Sequence, residues 1–197
     1  MARLSRKESQ EATRDRLRDA AAREFARRGV SAASIDTIAE TAGFSRGAFY
    51  SNYSCKHDLL LELLEREQKR ELVAWRELIE HAATLDAALP ALAERFDAFL
   101  TAGQASLLAI ELRLEALRNS DFGKAYAASS EEVFDMSVEL VRVLVAKAGR
   151  TEAEVMPITL ALRAIAAGLG LDSGPPPADV PSGGTIMALF LRRMLAA

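Results

Sequence analysis

Two short helical patterns separated by a glycine restrict the fold of this chain more than any other feature. Ser34 is a candidate N-cap, because its hydroxyl can accept a hydrogen bond from a free N–H of the first helical turn. Apolar residues then recur at helical spacing, namely Ile35, Ile38, Ala39 and Ala42. Gly43 can supply a left-handed turn, and Ser45 is a second candidate N-cap for residues 46–52. The stretch therefore predicts a helix-turn-helix.

The second helix of this pattern is poorly suited to a buried position. Its main apolar anchor is Phe49, and its other residues include Arg46, Gly47, Tyr50, Ser51 and Asn52. A helix that enters a DNA groove needs small residues for close approach and donors for base edges and phosphates. An ordinary helical hairpin with a solvated polar face is the alternative that the local pattern leaves open.

Residues 12–60 resemble the DNA-binding domain of TetR-family (tetracycline-repressor-like) transcriptional regulators. Residues 12–60 are about a quarter of the chain, and the resemblance is carried by RLRDAAAREFARRG at residues 16–29 and by SIDTIAETAGFSRGAFYSNY at residues 34–53. The chain departs from the family at Cys55-Lys56-His57, where Ser-Lys-Glu is usual and the serine caps the fourth helix. If Ser54 does not replace that cap, the helix start loses about 1 kcal/mol.

The resemblance also implies which residues contact DNA. Ser34 and Thr37 would donate to phosphates, Arg46 and Gly47 would enter the major groove, and Tyr50, Asn52 and Lys56 would hold phosphates. With the helix-capping serine added, the predicted DNA-binding set is Ser34, Thr37, Ser45, Arg46, Gly47, Tyr50, Asn52 and Lys56.

The charges of the chain are divided unevenly along its length. The net charge is −3, but residues 1–56 contain 11 Lys and Arg against 7 Asp and Glu, a net +4. Residues 57–197 carry the balance of −7. A basic N-terminal segment before an acidic body fits a protein that contacts DNA at one end. Arg3, Arg6 and Lys7 are either an arm that reaches the DNA or a solvated terminus.

The rest of the sequence predicts helices only, so the predicted fold class is all-α. Helix one starts near Ser9 or Thr13 and ends at Gly29, and the fourth helix runs from about Lys56 to the low 80s. Further helices are predicted over residues 85–103, 106–119, 122–148, 151–169 and 185–195. Thr151 and Glu154 predict a capping box. Prolines in residues 172–184 forbid helix there. As the resemblance implies, the architecture is nine helices in two domains, residues 1–56 for DNA binding and residues 57–197 for effector binding and dimerisation.

Two partners of the second domain follow from the resemblance. The last two helices are rich in small and aliphatic residues, which suit a four-helix bundle with a second copy; closure of the monomer core is the alternative. An effector would lie among the middle helices, and the predicted ligand-binding residues are Trp75, Phe96, Phe99, Leu108, Tyr126 and Phe134. Such a lining suits a largely apolar molecule. Each residue taken singly is better explained by plain core packing, but as a set some of them should line a cavity.

The sequence offers little for catalysis, metal binding or a cofactor. Its two histidines, His57 and His81, and its one cysteine, Cys55, are too few for a zinc site. No nucleotide-binding or nucleophile motif is present, so no enzyme is predicted. Cys55 beside Lys56 is better explained as a substituted cap than as a redox sensor.

The sequence also predicts where the protein works and what it does there. The N-terminus lacks an apolar signal segment, and no apolar run is expected to approach the ~18 residues of a membrane span. We expect a cytoplasmic homodimer that binds operator DNA as a transcriptional repressor and is released by a small, largely apolar effector. An activator remains open, and the alternative from another class is a helical-bundle small-molecule-binding protein or enzyme without DNA binding.

Overall fold

The computed structural model describes residues 5–101, 104–171 and 179–195, without the side chains of Ser31 and residues 104–108. Within these ranges the chain forms helices and no strand, which confirms the predicted all-α class. The helices are α1 (Arg6–Ala32), α2 (Ile35–Thr41), α3 (Arg46–Tyr50), α4 (Lys56–His81), α5 (Leu85–Thr101), α6 (Gln104–Arg118), α7 (Ser120–Lys147), α8 (Val155–Leu171) and α9 (Gly183–Leu195). A single 3₁₀ turn, Glu152–Glu154, precedes α8.

Two compact units divide between Arg66 and Glu67, inside α4. The first comprises residues up to Arg66 and the second begins at Glu67. The assignment of DNA binding to residues 1–56 and of effector binding to residues 57–197 stays a prediction.

Helix α1 starts earlier than its apolar pattern predicts. The Ser5 hydroxyl accepts from the Glu8 N–H at 3.2 Å, and the Glu8 carboxylate accepts from the Ser5 N–H at 2.7 Å. This reciprocal capping box satisfies two N–H groups that would otherwise lack partners, so the exposed first turns are stable without apolar contacts. At the other end Gly29 has a φ of 75°, which interrupts the helix where the sequence predicts its end.

The core of the first unit is built where α1, α2, α3 and the start of α4 meet. Apolar side chains from all four helices are almost completely buried, among them Leu17, Ile38, Phe49 and Leu60. Gly43, with a φ of 77°, forms the turn between α2 and α3. Because a left-handed backbone is strained for other residues, this glycine lets the chain turn from α2 into α3 while α2 packs on both α1 and α3.

The start of α4 is joined to the preceding residues by an acidic side chain. The carboxylate of Asp58 accepts a hydrogen bond from the Ser54 backbone N–H at 3.1 Å. An acid in the first turn also interacts favourably with the helix dipole. The contact therefore supplies one bond at the helix start that does not depend on a side chain at position 55.

The core of the second unit joins α4, α5, α7, α8 and α9. Its buried side chains are Ile79, Leu89, Val141, Leu144, Val145, Val155, Ile158, Leu191 and Leu195. Helices α5 and α9 approach so closely that a Cβ on Gly184 would lie 2.0 Å from the Ala93 carbonyl oxygen. Asp97 of α5 accepts from the Gly184 N–H at 2.7 Å and so caps α9.

The prediction of a capping box at Thr151 is wrong. The Thr151 hydroxyl makes no cap to a backbone N–H and lies 3.3 Å from the Glu154 carboxylate instead. Glu154 also pairs with Arg150 at 3.0 Å. Residues 152–154 form the 3₁₀ turn, and α8 begins only at Val155.

The expectation that no apolar run approaches the length of a membrane span also needs correction. Among the described residues, Glu152–Leu171 is long and apolar enough by length and composition, with a mean hydropathy of 1.5. A helix that packs inside a protein assembly can have the same composition, so this is weak evidence for a span. Only 17% of the apolar window is buried within the chain, which leaves much of the surface of α8 uncovered.

Candidate functional site

The exposed surface of α2 and α3 begins with two capped helix ends. The Ser34 hydroxyl accepts from the Thr37 N–H at 3.0 Å and lies 2.8 Å from the Thr37 hydroxyl. The Ser45 hydroxyl accepts from the Ala48 N–H at 3.2 Å. Both predicted N-caps are therefore present. The two serines remain exposed, so their hydroxyl groups lie at the surface.

Arg46 is held in place on this surface by two neighbours. Its Nη1 donates to the two carboxylate oxygens of Asp36 at 2.9 and 3.2 Å, and its Nη2 donates to the Tyr50 hydroxyl at 3.3 Å. All three side chains are exposed. The hydrogen bond to Tyr50 and the charge of Asp36 raise the pKa of the Arg46 guanidinium, which is positive at any ordinary pH.

Gly47 has no packing reason to be a glycine. A Cβ built on it would meet only the Ser45 hydroxyl oxygen, at the ordinary contact distance of 3.7 Å. Its backbone is helical and exposed, so an alanine would fit within the described structure. The missing side chain leaves the backbone of α3 open to close approach from outside.

Two members of the predicted DNA-binding set point toward the protein instead. The Lys56 ammonium donates to the carbonyl oxygens of Val30 and Ala33, at 2.8 and 3.2 Å, at the end of α1. Asn52 donates to the Ala48 carbonyl at 2.8 Å and is half-buried. These bonds close the ends of α1 and α3. The structure therefore brings six of the eight predicted residues together, five of them exposed and Thr37 half-buried. It gives Asn52 and Lys56 bonds to the backbone.

A partly buried ion network, which the sequence did not predict, holds the end of α3 against α1 and α4. Arg14 and Arg18 of α1 both contact the Glu62 carboxylate of α4, and Arg14 donates to the Asn52 carbonyl at 2.9 Å. The Arg14 guanidinium also stacks over the Tyr53 ring at 4.4 Å. Burial raises the pKa of the Tyr53 hydroxyl to about 12, which keeps it neutral. The network fixes the end of α3 to α1 and α4 within the first unit.

The sequence did not predict the ion network or the contact of Asp36 with Arg46, and the reason is the same for both. Arg14 and Glu62 are 48 positions apart, and Arg46 and Asp36 lie on different helices. No helical periodicity connects such pairs. The only sequence signal was the number of arginines in helix one, which also fits a solvated face.

In the second unit the predicted ligand-binding residues form separate groups. Trp75 of α4 contacts Phe96 and Phe99 of α5, with ring centroids 6.2 and 6.1 Å apart. The Trp75 indole N–H is buried and has no hydrogen-bond acceptor among the described residues. Tyr126 stacks on Phe122 in α7, with ring centroids 6.5 Å apart. Leu108 lies outside the described side chains.

Phe134 belongs to an open concavity of about 440 Å³ between α7 and α8. Its lining residues are Ala127, Ala128, Ser130, Glu131, Phe134 and Arg163. The Arg163 guanidinium lies over the Phe134 ring at 5.3 Å and donates to Ser137 at 3.2 Å. Partial burial lowers the pKa of Arg163. Among the predicted ligand-binding residues whose side chains the structure describes, Phe134 alone borders this concavity.

Helices α8 and α9 carry an uncovered apolar surface. Large apolar side chains on both helices are at least one third exposed, namely Met156, Leu160, Ile186, Leu189 and Met194. On α8 the spacing of four residues between Met156 and Leu160 places them on one face. A surface of this kind is unusual for a monomer and is typical of an interface.

No group of three or more His, Cys, Asp or Glu side chains within the described ranges could hold a metal ion.

The first unit matches a family model and curated relatives. The model for bacterial regulatory proteins of the tetR family matches residues 17–63. The HTH-type transcriptional regulator AcrR of Shigella flexneri is 45% identical over 65 residues, which cover 33% of this chain and 30% of AcrR. The HTH-type transcriptional regulator TtgR of Pseudomonas putida is 42% identical over 65 residues, again 33% of this chain and 30% of TtgR. The match thus spans less than a third of these relatives.

Solved structures match almost the whole chain. A TetR-family transcriptional regulator from Rhodococcus sp. has a TM-score of 0.72 at 19% identity, covering 94% of this chain and 100% of that one. FadR from Bacillus subtilis, in complex with stearoyl-CoA, has a TM-score of 0.65 at 16% identity, covering 92% and 97%. RolR, in complex with resorcinol, has a TM-score of 0.67 at 18% identity, covering 98% and 91%. At such identities the likeness shows the fold alone.

The helix-turn-helix built on Gly43 and the match to the family model lead to one conclusion: residues 17–63 form a helix-turn-helix segment of the tetR family of bacterial regulatory proteins.

Proposed function

We propose that the protein is a homodimeric transcriptional repressor that binds operator DNA through α2 and α3 and is released by a small-molecule effector. The observation that carries the proposal is the exposed surface formed by Ser45, Arg46, Gly47 and Tyr50. It combines hydrogen-bond donors with a glycine that the packing of the chain does not require. Donors beside an open backbone are what a recognition helix needs for phosphates and base edges in a major groove.

A helical-bundle carrier or enzyme without DNA binding is the weaker alternative. It would explain the aromatic cluster around Trp75 but not the arrangement of Arg46 and Gly47. It would also not explain why residues 1–56 have a net charge of +4 in a protein whose overall charge is −3. In a regulator this segment binds the DNA, and residues 57–197 bind the effector and the second copy.

Dimerisation is supported by the uncovered apolar surface of α8 and α9. A second copy that packs the same two helices would bury Leu160 and Leu189, which are 54% and 48% exposed in the single chain. A two-fold symmetric dimer presents two recognition helices to paired half-sites, which is the usual arrangement for helix-turn-helix proteins. The apolar composition of Glu152–Leu171 then serves the interface rather than a membrane, and the protein works in the cytoplasm.

The chemistry of the effector follows from the second unit. Proteins of the same fold hold ligands as different as stearoyl-CoA and resorcinol, so the fold alone does not select one. Trp75, Phe96 and Phe99 supply aromatic surface for a largely apolar molecule, and the buried indole N–H can donate to one acceptor on it.

Release from DNA requires that the effector favour one conformation of the dimer. Helix α4 contributes residues to both units, so its displacement by an effector would alter the recognition helices. The effector must bind the displaced state more tightly than the DNA-bound state, since equal affinity shifts nothing.

The test is DNA binding by wild type and two variants. Wild type should bind duplex DNA taken from beside its own gene. Arg46→Ala should weaken that binding by about 1–3 kcal/mol and change the sequence preference, because a base contact is lost. Tyr50→Ala should weaken binding to all sequences and lower the salt dependence, because a phosphate contact is lost. Affinity can be measured by fluorescence anisotropy at several salt concentrations.

Arg118→Ala is the matched control, since it removes the same charge from an exposed position of α6. It should leave DNA affinity unchanged. The proposal fails if Arg46→Ala and Tyr50→Ala bind DNA as wild type does, or if wild type binds no duplex at all.

A further inference from the structure

An acidic residue contacts Arg46 on the surface that the proposed function assigns to DNA. Asp36 lies in the first turn of α2, and its two carboxylate oxygens accept from Arg46 Nη1 at 2.9 and 3.2 Å. The two side chains are 62% and 60% exposed. An exposed ion pair of this kind contributes little to folding stability, so stability alone is a weak reason for it.

A carboxylate at this position should weaken DNA binding, so its presence on this surface calls for a second role. Its negative charge repels phosphates, and this repulsion acts on every DNA sequence alike. Asp36 cannot act simply by competing with DNA for Arg46. A competing partner lowers the affinity for the best sequence at least as much as for the others, so it adds no specificity.

The geometry of Arg46 indicates a different role. A guanidinium has five N–H donors, and the contacts with Asp36 and Tyr50 engage at most three of them. Two donors remain, which is the number needed for a bidentate contact with O6 and N7 of guanine. Asp36 is anchored on α2 and Tyr50 on α3, so the guanidinium is held from two helices at once.

We propose that Asp36 is a positioning residue for sequence readout, which orients Arg46 so that its remaining donors face a guanine edge. This inference rests on the proposed function. An arginine with a fixed orientation loses less conformational entropy when it binds a base. It is also less able to turn toward a phosphate, so the wrong base is not compensated by another contact.

The experiment begins with a selection of binding sites from random duplexes by the wild-type dimer. Arg46→Ala then identifies the base pair at which preference is lost. For each variant, affinity is measured for the selected site and for the same site with that base pair changed. The ratio of the two affinities is the readout, because a general loss of folding or charge would change both affinities alike.

Asp36→Asn should raise the affinity for both duplexes at low salt, since a negative charge is removed. It should lower their ratio by about threefold to tenfold, which is part of the discrimination that one bidentate contact supplies. Glu40→Gln is the matched control, because Glu40 lies exposed on the same helix and no bond joins it to Arg46 in the described structure. It should raise both affinities and leave the ratio unchanged.

A double-mutant cycle completes the test. In an Arg46→Ala background, Asp36→Asn should not lower the ratio of the two affinities further, because the arginine that Asp36 positions is absent. The inference is overturned if Asp36→Asn leaves the ratio unchanged, if Glu40→Gln lowers it equally, or if Asp36→Asn lowers it without Arg46. If wild type selects no sequence from the random duplexes, the proposed function fails and the inference fails with it.

Discussion

At the scale of single residues, the surface of α2 and α3 separates what the fold needs from what DNA would need. Phe49 is fully buried and serves the core, whereas Gly47 is exposed and has open space around it. Lys56 illustrates the opposite case. The resemblance assigns it to phosphate, but its ammonium donates to two backbone carbonyls at the end of α1. Residue type alone does not distinguish these roles, because the partner of a long side chain is set by its neighbours in space.

We expect Gly47→Ala to separate folding from DNA binding. The new methyl group fits, and alanine favours helix, so the free energy of unfolding should stay the same or rise by up to about 1 kcal/mol. If the backbone of α3 approaches DNA, the methyl group should cost about 1–3 kcal/mol of binding. Thermal unfolding and anisotropy on the same preparation measure both. Equal DNA affinity in the variant would show that α3 does not approach DNA at this residue.

At the scale of helices, several boundaries depend on polar contacts rather than on apolar periodicity. The capping box at Ser5 starts α1 several residues before the apolar pattern, whereas the Thr151 hydroxyl, which the sequence predicts to cap α8, makes no bond to a backbone N–H. At the start of α4 the Asp58 carboxylate accepts a hydrogen bond from the Ser54 N–H. A helix cap contributes about 1 kcal/mol to stability, so one polar contact nearby is enough to shift a helix boundary.

The contact between α5 and α9 should depend strongly on Gly184. A methyl group there would overlap the Ala93 carbonyl, which belongs to the backbone and cannot rotate away. Gly184→Ala should therefore lower the free energy of unfolding by about 1–3 kcal/mol, as measured by urea denaturation. Thr185→Ala, at the next and exposed position, is the control and should change stability much less. Similar stability of the two variants would contradict this close packing.

At the scale of the whole molecule, the apolar surface of α8 and α9 decides whether the protein acts alone or in pairs. We expect Leu160→Glu and Leu189→Glu each to weaken dimerisation by about 2 kcal/mol or more, because each would bury a charge in the interface. Sedimentation velocity at micromolar concentration measures the change. Operator affinity should fall as well, since a monomer reaches one half-site only.

Leu117→Glu is the control for this prediction, because Leu117 of α6 is 79% exposed and lies on neither helix of the proposed interface. It should leave the dimer intact. A wild-type protein that sediments as a monomer at the same concentration would remove the basis for the dimer.

The sequence by itself determined the helical class, the helix-turn-helix around Gly43 and the approximate helix boundaries. Those properties follow from local spacing, capping residues and backbone preferences, which act within a few residues along the chain. Only the tertiary structure decided that Arg46 pairs with Asp36, that Glu62 joins Arg14 and Arg18, and that Lys56 binds backbone carbonyls. It also decided that Trp75, Phe96 and Phe99 form one aromatic cluster, while Phe134 borders the separate concavity between α7 and α8. These contacts join residues that are distant in sequence, so packing in three dimensions determines them and no local pattern can.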